Sequence, residues 1–296
     1  MNFDLGDVLS RSWEISWKNK GLWVFGFVLS LLSFLLLPLM LAPIFADILM
    51  SQQMDETILL ILWLSGFMLF MLVLYPVGAW LNAALTLGVL RSEDGKEKLS
   101  FLELTRESYP FFWRYLGTMT LFVGGMLFVS ILFGIVITFI AVVTFGVGML
   151  CMMPLSFLQY PFMLIWYVCM EQSLTAIVAD NMNVMDAVKQ SWQLFKKNIW
   201  TFILAGLVLY FGVSMLSSVV MMPFMFPFFF LPFALESAEF GRIVLVITGL
   251  CMVLFVPIFS FFQGGVMTLM RSGWVLTYLR LTRPASDQPE PQPATS

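Results

Sequence analysis

The sequence contains no histidine and few charged residues, with Asp, Glu, Lys and Arg together forming only 11% of its 296 residues. Soluble domains carry about a quarter charged residues, so this composition excludes an ordinary soluble protein. The lack of histidine removes the most common metal ligand and general base. Cys151, Cys169 and Cys251 lie inside apolar runs and form no CxxC motif, so neither a disulfide framework nor a metal site is predicted.

Sequence signatures of catalysis are also missing. The chain has no HExxH, GxSxG, paired-aspartate or Walker motif. Its basic residues are few and mixed with acids, which argues against nucleic acid as a partner. No acid or base interrupts the apolar runs, so intramembrane catalysis and ion-coupled transport are not expected. We therefore predict a non-enzymatic protein with no catalytic residue, no cofactor and no bound metal.

What the chain does have is long apolar segments. A helix needs about 20 apolar residues to cross the hydrocarbon core of a bilayer. The run 115–170 is long enough for two crossings and contains a small-residue break at 144–148, which predicts a tight turn. This pattern predicts six transmembrane helices. The charge-free runs are 21–46, 57–90, 115–170, 198–235 and 243–270.

Basic residues predict the orientation. Fourteen of the fifteen Lys and Arg residues lie in segments 1–20, 91–114, 171–198 and 271–296. The positive-inside rule therefore places both termini and the two long loops in the cytoplasm. The acidic start lacks the basic region of a cleaved signal peptide, so the first crossing is expected to be retained.

One charged, aromatic pattern occurs three times: an acid, four residues, a serine followed by an aromatic residue, four more residues, and a base. Each copy precedes an apolar hairpin, which predicts three repeats of an amphipathic interfacial helix plus a transmembrane hairpin. In the second copy, Pro110 is expected to bend or end the helix. The copies comprise Asp7, Ser12, Trp13 and Lys18; Glu103, Ser108, Tyr109 and Arg114; and Asp186, Ser191, Trp192, Lys196 and Lys197.

These repeats define the predicted domain organisation. One polytopic membrane domain spans 1–283, with repeats at about 3–92, 99–176 and 183–280. The tail 284–296 is polar and rich in proline, so it is predicted to be disordered. Because each repeat contains two crossings, all three share one orientation, which predicts a pseudo-threefold, all-α bundle.

A second correspondence lies inside the hairpins. Pro76, Pro161 and Pro257 occupy the second crossing of each repeat, and Asn82, Tyr167 and Gln263 follow them by six residues. These polar side chains are predicted to form a ring at one level of the bundle. Two interpretations remain open: hydrogen bonding between helices, or the lining of a solute path.

The repeated pattern, with D-x4-SW-x4-KN at residues 7–19 and 186–198, resembles a bacterial membrane family. It is similar to the membrane domain of some glycerophosphodiester phosphodiesterases and to related stand-alone six-helix proteins of unknown function. The resemblance covers about residues 3–283 and implies a multi-pass protein of the bacterial cytoplasmic (inner) membrane. It does not imply phosphodiesterase activity, because the chain has neither the length nor the histidines of that catalytic domain.

Two hypotheses for function follow. The interfacial segments either simply anchor the hairpins or form a cytoplasmic collar that binds membrane lipids or a protein partner, with self-association also open. The first hypothesis is a protein that organises or recruits lipids or a partner at the cytoplasmic face. The alternative is a transporter or flippase that moves a lipid-like or apolar solute through the bundle axis.

Overall fold

The structure is a computed structural model that describes residues 3–36, 56–95, 100–145, 159–225, 229 and 238–283. Every regular element in these ranges is helical. This is expected for an apolar chain, because a bilayer offers no water to satisfy backbone groups left unpaired. The predicted disordered tail 284–296 lies outside the described residues.

The helices vary widely in length, and the longest far exceed the thickness of a bilayer. A short 3-10 helix at Lys20–Leu22 precedes α2, and a π-helical stretch at Leu207–Gly212 joins α7 to α8. The helices are α1 (Leu5–Lys18), α2 (Trp23–Phe34), α3 (Glu56–Glu93), α4 (Phe101–Val143), α5 (Gln159–Ala179), α6 (Val184–Lys197), α7 (Ile199–Gly206), α8 (Val213–Met225) and α9 (Ala238–Thr282).

Five helical segments in the described part of the chain are long and apolar enough to cross a membrane. The predicted first crossing, 21–46, is represented by the shorter apolar segment Lys20–Phe34, and the rest of it lies outside the described residues. The protein is therefore a multi-pass membrane protein. The five segments are Leu60–Glu93, Phe101–Val143, Gln159–Ala179, Ile199–Val219 and Val246–Thr282.

Two short helices, α1 and α6, carry the first and third copies of the repeated pattern. The Asp4 side chain caps α1 by accepting a hydrogen bond from the Gly6 amide at 2.8 Å. Both helices have an acid in the first turn and a base in the last. This polarity matches the helix dipole and explains why these charged segments are helical.

The second copy differs, because its segment is the start of α4 and not a separate helix. Of the two outcomes predicted for Pro110, the end of the helix is wrong, since α4 runs unbroken from Phe101 to Val143, and a bend stays a prediction. Proline removes one backbone hydrogen bond from a helix interior. Ser108 and Tyr115, on either side of it, are fully buried, so tertiary packing supports both flanking turns and compensates for that loss.

Three long helices meet at the centre of the bundle: α3, α5 and α9 each contact the other two. The remaining apolar helices lie around them. The helix α2 packs against α9 and α3, α4 packs against α3 and α5, and the α7–α8 segment packs against α5 and α9. The short helices cover one end, with α1 on α9 and α6 on α5.

The packed core occupies the half of the bundle nearest α1 and α6. No described side chain of α3 before Ala79 is buried, and none of α4 after Phe122. In α5, the buried stretch begins at Val168. The other half of these helices presents large apolar side chains outwards, as expected for surfaces that face lipid.

The closest helix crossing joins α2 to α9 at Gly26 and Gly264. A β-carbon on Gly264 would lie 2.4 Å from the Trp23 carbonyl oxygen and 2.9 Å from the Phe27 amide nitrogen. Both of these atoms belong to the backbone and have no side-chain freedom to move. Small residues of this kind let transmembrane helices approach closely.

We therefore expect Gly264→Ala to force α2 and α9 apart and to lower the free energy of unfolding by about 1–3 kcal/mol. Reversible unfolding in mixed micelles, followed by circular dichroism, measures this. Gly249→Ala in the same helix is the matched control, because its β-carbon meets no described atom within 4 Å. It should be neutral or stabilising by up to about 1 kcal/mol, and equal losses in the two variants would contradict the close crossing.

Candidate functional site

The three motif serines share one environment. Ser12, Ser108 and Ser191 are all completely buried. Each donates a hydrogen bond to a carbonyl oxygen one turn earlier in its own helix, at 2.6, 3.0 and 2.9 Å respectively. A small side chain that satisfies its own hydroxyl lets the helix lie directly against the core. The serine therefore marks the buried side of each interfacial segment.

The aromatic residue that follows each serine points away from the core. Trp13, Tyr109 and Trp192 are 55%, 60% and 47% exposed. One residue corresponds to a rotation of about 100° around a helix, so a buried serine places the next side chain at the edge of the exposed face. The serine and the aromatic residue after it therefore have the same orientation in all three segments. This holds even for the second segment, which belongs to the long continuous helix α4.

The motif acids differ in their partners. Asp7 pairs with Arg280 of α9 at 3.3 Å. Glu103 lies 3.7 Å from Arg91 at the end of α3. Asp186 is exposed to solvent. Two of the three acids therefore join an interfacial segment to the end of a neighbouring long helix.

The motif bases of the first two copies are engaged within the protein. Lys18 donates to Glu14 at 2.5 Å, one turn earlier in α1. Lys18 and Arg11 together hold the pKa of the Glu14 carboxylate below its usual value. Arg114 donates to the carbonyl oxygens of Asn181 at 2.9 Å and Met182 at 3.1 Å, fixing the link between α5 and α6.

The bases of the third copy are different, since Lys196 and Lys197 are exposed and no salt bridge joins them to the described residues. The Lys196 ammonium lies over the Trp192 ring, 5.6 Å from its centroid. Trp200, at the start of α7, is 83% exposed. We call Trp192, Lys196, Lys197 and Trp200 the α6 Trp–Lys surface.

A related surface lies on α1. Trp13 and Trp17 stack with their ring centroids 5.6 Å apart and their planes 8° from parallel. The Lys20 ammonium lies 5.5 Å from the Trp17 ring centroid. Exposed tryptophan beside lysine is the combination that proteins place at the boundary between bilayer and water. We call Trp13, Trp17 and Lys20 the α1 Trp–Lys surface.

Sequence reasoning missed a buried acid beneath α1. The Glu93 side chain is only 5% exposed and accepts from Arg11 Nε at 3.0 Å. Arg280 NH2 also lies 3.4 Å from Glu93. This network links α1, α3 and α9 at the end of the bundle. The sequence places Glu93 in the charged segment 91–114, which was predicted to be a cytoplasmic loop. Its position beneath α1 depends on how the helices pack, so the sequence could not show it.

Helix periodicity places Asp186, Gln190, Gln193 and Lys197 on one polar stripe of α6, but Gln190 does not face solvent. Gln190 is half-buried and donates to the Tyr278 hydroxyl at 2.9 Å. Tyr278 in turn donates to the Asp180 carboxylate. The stripe lies at the border of the buried face, so its central glutamine contacts α9 while Asp186 and Lys197 face solvent.

The predicted polar ring residues have separate partners. Asn82 accepts from Arg271 NH2 at 2.9 Å. The Tyr167 hydroxyl lies 3.9 Å from the sulfur of Met270. Gln263 accepts from Ser217 of α8 at 2.9 Å. Among the described residues, each therefore lies against a side chain of a neighbouring helix, and Asn82 bonds to the charged Arg271.

That charged group belongs to a buried ion pair that the sequence did not reveal. Arg271 of α9 pairs with Glu171 of α5, and their side chains are 11% and 6% exposed. Both lie within apolar segments long enough to span a membrane. In sequence, each is the first charged residue after a charge-free run, so each looked like the end of a crossing. The helices continue for roughly two more turns or longer, which places the pair in the protein interior.

We call Asn82, Glu171 and Arg271 the central triad. Each of the three central helices supplies one member: α3, α5 and α9. Tyr115 of α4 and Tyr167 of α5 are near enough to interact electrostatically with both charges. The Trp274 ring packs edge-to-face on Tyr167 at 5.8 Å. In the sequence, the one feature that could have indicated this pair is that two opposite charges, Glu171 and Arg271, directly follow charge-free runs.

Two buried polar side chains that follow the pair in sequence lack partners. Gln172 and Ser272 follow Glu171 and Arg271 directly in the chain, and both are completely buried. Neither the Gln172 amide nor the Ser272 hydroxyl has a hydrogen-bond partner within the described ranges. Buried polar groups without protein partners usually bind ordered water or a ligand.

The described ranges hold no group of three or more His, Cys, Asp and Glu side chains able to bind a metal ion. Cys169 is buried and Cys251 is half-buried, both as free thiols. The resemblance to the phosphodiesterase membrane domain stays a prediction. No protein-family model, curated protein or solved structure matches the chain.

Proposed function

We propose that this chain is a non-enzymatic protein of a bacterial cytoplasmic membrane that organises or recruits lipids at the cytoplasmic face. The observation that carries the proposal is the α6 Trp–Lys surface. Lys196, Lys197, Trp192 and Trp200 are all exposed, and the Lys196 ammonium lies 5.6 Å from the Trp192 ring centroid. The ligand class that suits this chemistry is an anionic phospholipid headgroup.

The tryptophans and the lysines of this surface prefer different layers of a membrane interface. Tryptophan favours the headgroup region of a bilayer, while lysine binds phosphate and stays hydrated. Each basic residue near an anionic membrane surface contributes about 1 kcal/mol of attraction. In the first two copies, the motif bases bond to the protein itself, whereas Lys196 and Lys197 are left to bind a ligand outside it.

The proposed architecture is a pseudo-threefold bundle of three repeats with six crossings. Its support is the cyclic packing, in which α2, α4 and the α7–α8 segment each lie between two of the central helices α3, α5 and α9. The interfacial segments follow the same rule. The α1 helix packs on α9, the start of α4 packs on α3, and α6 packs on α5. The equivalent burial of Ser12, Ser108 and Ser191 adds to this support.

The proposed orientation, with both termini in the cytoplasm, has a direct test. Reporter fusions at the C-terminus and near Gln53 should give opposite signals, cytoplasmic for the first and periplasmic for the second. The physical reason is the concentration of Lys and Arg on one side of the crossings. A periplasmic C-terminus would reject both the orientation and the three-hairpin architecture.

Reversing the charge of the α6 Trp–Lys surface tests the function. We expect Lys196→Glu together with Lys197→Glu to weaken binding of phosphatidylglycerol at least tenfold. Two attractive charges are lost and two repulsive ones gained, each worth about 1 kcal/mol. Native mass spectrometry of the purified protein, titrated with phosphatidylglycerol in detergent, measures the affinity.

The matched control is Lys196→Arg with Lys197→Arg, which keeps both charges and should bind normally. A second control is diacylglycerol, which has no charged headgroup and whose binding should be weak and unaffected by the reversal. Equal phosphatidylglycerol binding in the wild-type and charge-reversed proteins would reject a lipid-recruiting surface. A protein that co-purifies with the wild type and is released by the reversal would identify a partner as the ligand instead.

Transport along the bundle axis stays the alternative prediction, and one observation bears on it. The Glu171–Arg271 pair is buried between two of the central helices, and ionisable groups between transmembrane helices often line the solute paths of transporters. Such a lining suits a polar solute and not a purely apolar one.

A further inference from the structure

We infer that the central triad is a binding site for a zwitterionic group, meaning a small unit that carries both an ammonium and a phosphate or carboxylate. The inference does not depend on lipid binding by the α6 Trp–Lys surface, which lies on the outside of the protein. It concerns the buried residues Asn82, Glu171 and Arg271.

The first support is that the site offers one positive and one negative side chain, Arg271 and Glu171, which pair with each other. Arg271 reaches Glu171 through one terminal nitrogen and Asn82 through the other. A guanidinium has five N–H donors in a flat fork, so this arrangement leaves donors for a phosphate or carboxylate. Glu171 offers the complementary carboxylate for an ammonium.

The second support is the aromatic side chains beside the acid. Tyr167 precedes Glu171 by one helical turn and is close enough to interact with it. Trp274 packs against Tyr167 at 5.8 Å. Ammonium groups bind well where a carboxylate and aromatic faces meet, because the ring quadrupole attracts a cation.

The third support is the unmet hydrogen-bonding capacity around the pair. A salt bridge that only held helices together would be most stable in apolar or fully bonded surroundings. Here the Tyr115 hydroxyl, which is near both charges, is buried and bonds to nothing in the described part of the chain. A hydroxyl can donate to or accept from a polar headgroup or solute.

The position of the triad along α3 and α5 suggests the direction from which a ligand would come. Asn82 lies three residues beyond Ala79, where burial begins in α3, and Glu171 lies three beyond Val168, where it begins in α5. The triad therefore lies at the boundary between the packed half of the bundle and the half with exposed side chains. A ligand would approach from the side opposite α1 and α6.

Binding is an exchange of partners with no covalent step. The ligand anion takes the place of Glu171 on Arg271, and the ligand ammonium takes the place of Arg271 on Glu171. Both buried charges remain paired throughout, which avoids the large penalty of an isolated charge in the interior. An anion without an ammonium would leave Glu171 unpaired and should bind poorly.

The test compares two probes in detergent by native mass spectrometry and thermal unfolding. One is phosphatidylethanolamine, and the other is free O-phosphoethanolamine. Binding of the lipid alone assigns the site to a headgroup, and binding of the free compound assigns it to a soluble zwitterion. We expect at least one probe to bind the wild type, and phosphatidylglycerol should not displace it from the triad.

The deciding variant is Glu171→Gln with Arg271→Gln, which removes both charges and leaves no unpaired one. We expect it to weaken binding of the probe at least tenfold. The matched control is Glu14→Gln with Lys18→Gln, a pair joined at 2.5 Å on the more exposed helix α1, which should bind normally. If the central double variant does not fold, Tyr167→Phe removes one hydroxyl from the site and should weaken binding several-fold.

The inference is overturned if neither probe binds the wild type, or if the folded double variant or Tyr167→Phe binds the probe as well as the wild type. The proposed lipid-recruiting function is tested separately. Lys196→Glu with Lys197→Glu should leave binding at the central triad unchanged. Loss of phosphatidylglycerol binding without loss of zwitterion binding would therefore support both conclusions independently.

Discussion

Replacing Glu171 alone by leucine is expected to lower the free energy of unfolding by about 3–5 kcal/mol, the range measured when one partner of a buried ion pair is removed. The loss arises because Arg271 stays charged while its surroundings exclude water. Asn82 provides the only other described acceptor for it, and a neutral amide does not balance a full charge. Unfolding in mixed micelles, followed by circular dichroism, gives the change in free energy.

The partner experiment separates the cost of an unpaired charge from the value of the pair. Glu171→Leu combined with Arg271→Met should recover most of the lost stability, since neither charge remains. Glu14→Leu is the surface control, because Glu14 is partly exposed and should cost below about 1 kcal/mol. If Glu171→Leu were as mild as Glu14→Leu, the pair would be solvated and the central triad could not be a buried site.

Replacing Glu93 by leucine is expected to release α1 from the bundle. Glu93 accepts from Arg11 of α1 and pairs with Arg280 of α9, and hydrogen bonds to charged groups are each worth about 1.5–3 kcal/mol. Because both arginines retain partial access to water, we expect a total loss of about 2 kcal/mol. Hydrogen exchange should rise mainly in Leu5–Lys18, with little change in the long helices.

Glu103→Leu is the matched control for Glu93. Its side chain is 55% exposed and lies 3.7 Å from Arg91, so its removal should cost below about 1 kcal/mol. Uniform protection in α1 after the Glu93 replacement would show that apolar contacts alone hold that helix. Val8 and Ile15 would then be the residues responsible, since both are almost fully buried.

The features that the sequence predicted correctly are those that depend on one helix alone. The charge-free runs 57–90 and 198–235 correspond to α3 and to the α7–α8 segment. The acid-to-base polarity of α1 and α6 was also predictable, because the dipole of an isolated helix favours it. These features depend on local hydropathy and charge, and both can be obtained from the sequence alone.

The features that the sequence predicted less well are those that depend on contacts with neighbouring helices. Glu171 and Arg271 each directly follow a charge-free run, and the sequence did not show that their helices continue past them with both side chains buried. Similarly, Pro110 would end an isolated helix but not one supported by packing on both sides. Helix periodicity gives the direction of a side chain but not which neighbouring helix it meets.

The residue order alone determined that this is a multi-pass helical membrane protein and that three charged, aromatic segments each precede a long apolar run. Those properties follow from hydropathy and local electrostatics, which do not require knowledge of neighbours. Only the tertiary structure decided that Glu171, Arg271 and Asn82 meet, because they lie on three helices far apart in the chain. It also decided that the bases of the first two motif copies bond to the protein while Lys196 and Lys197 face outwards, since partner geometry is set by how the helices pack.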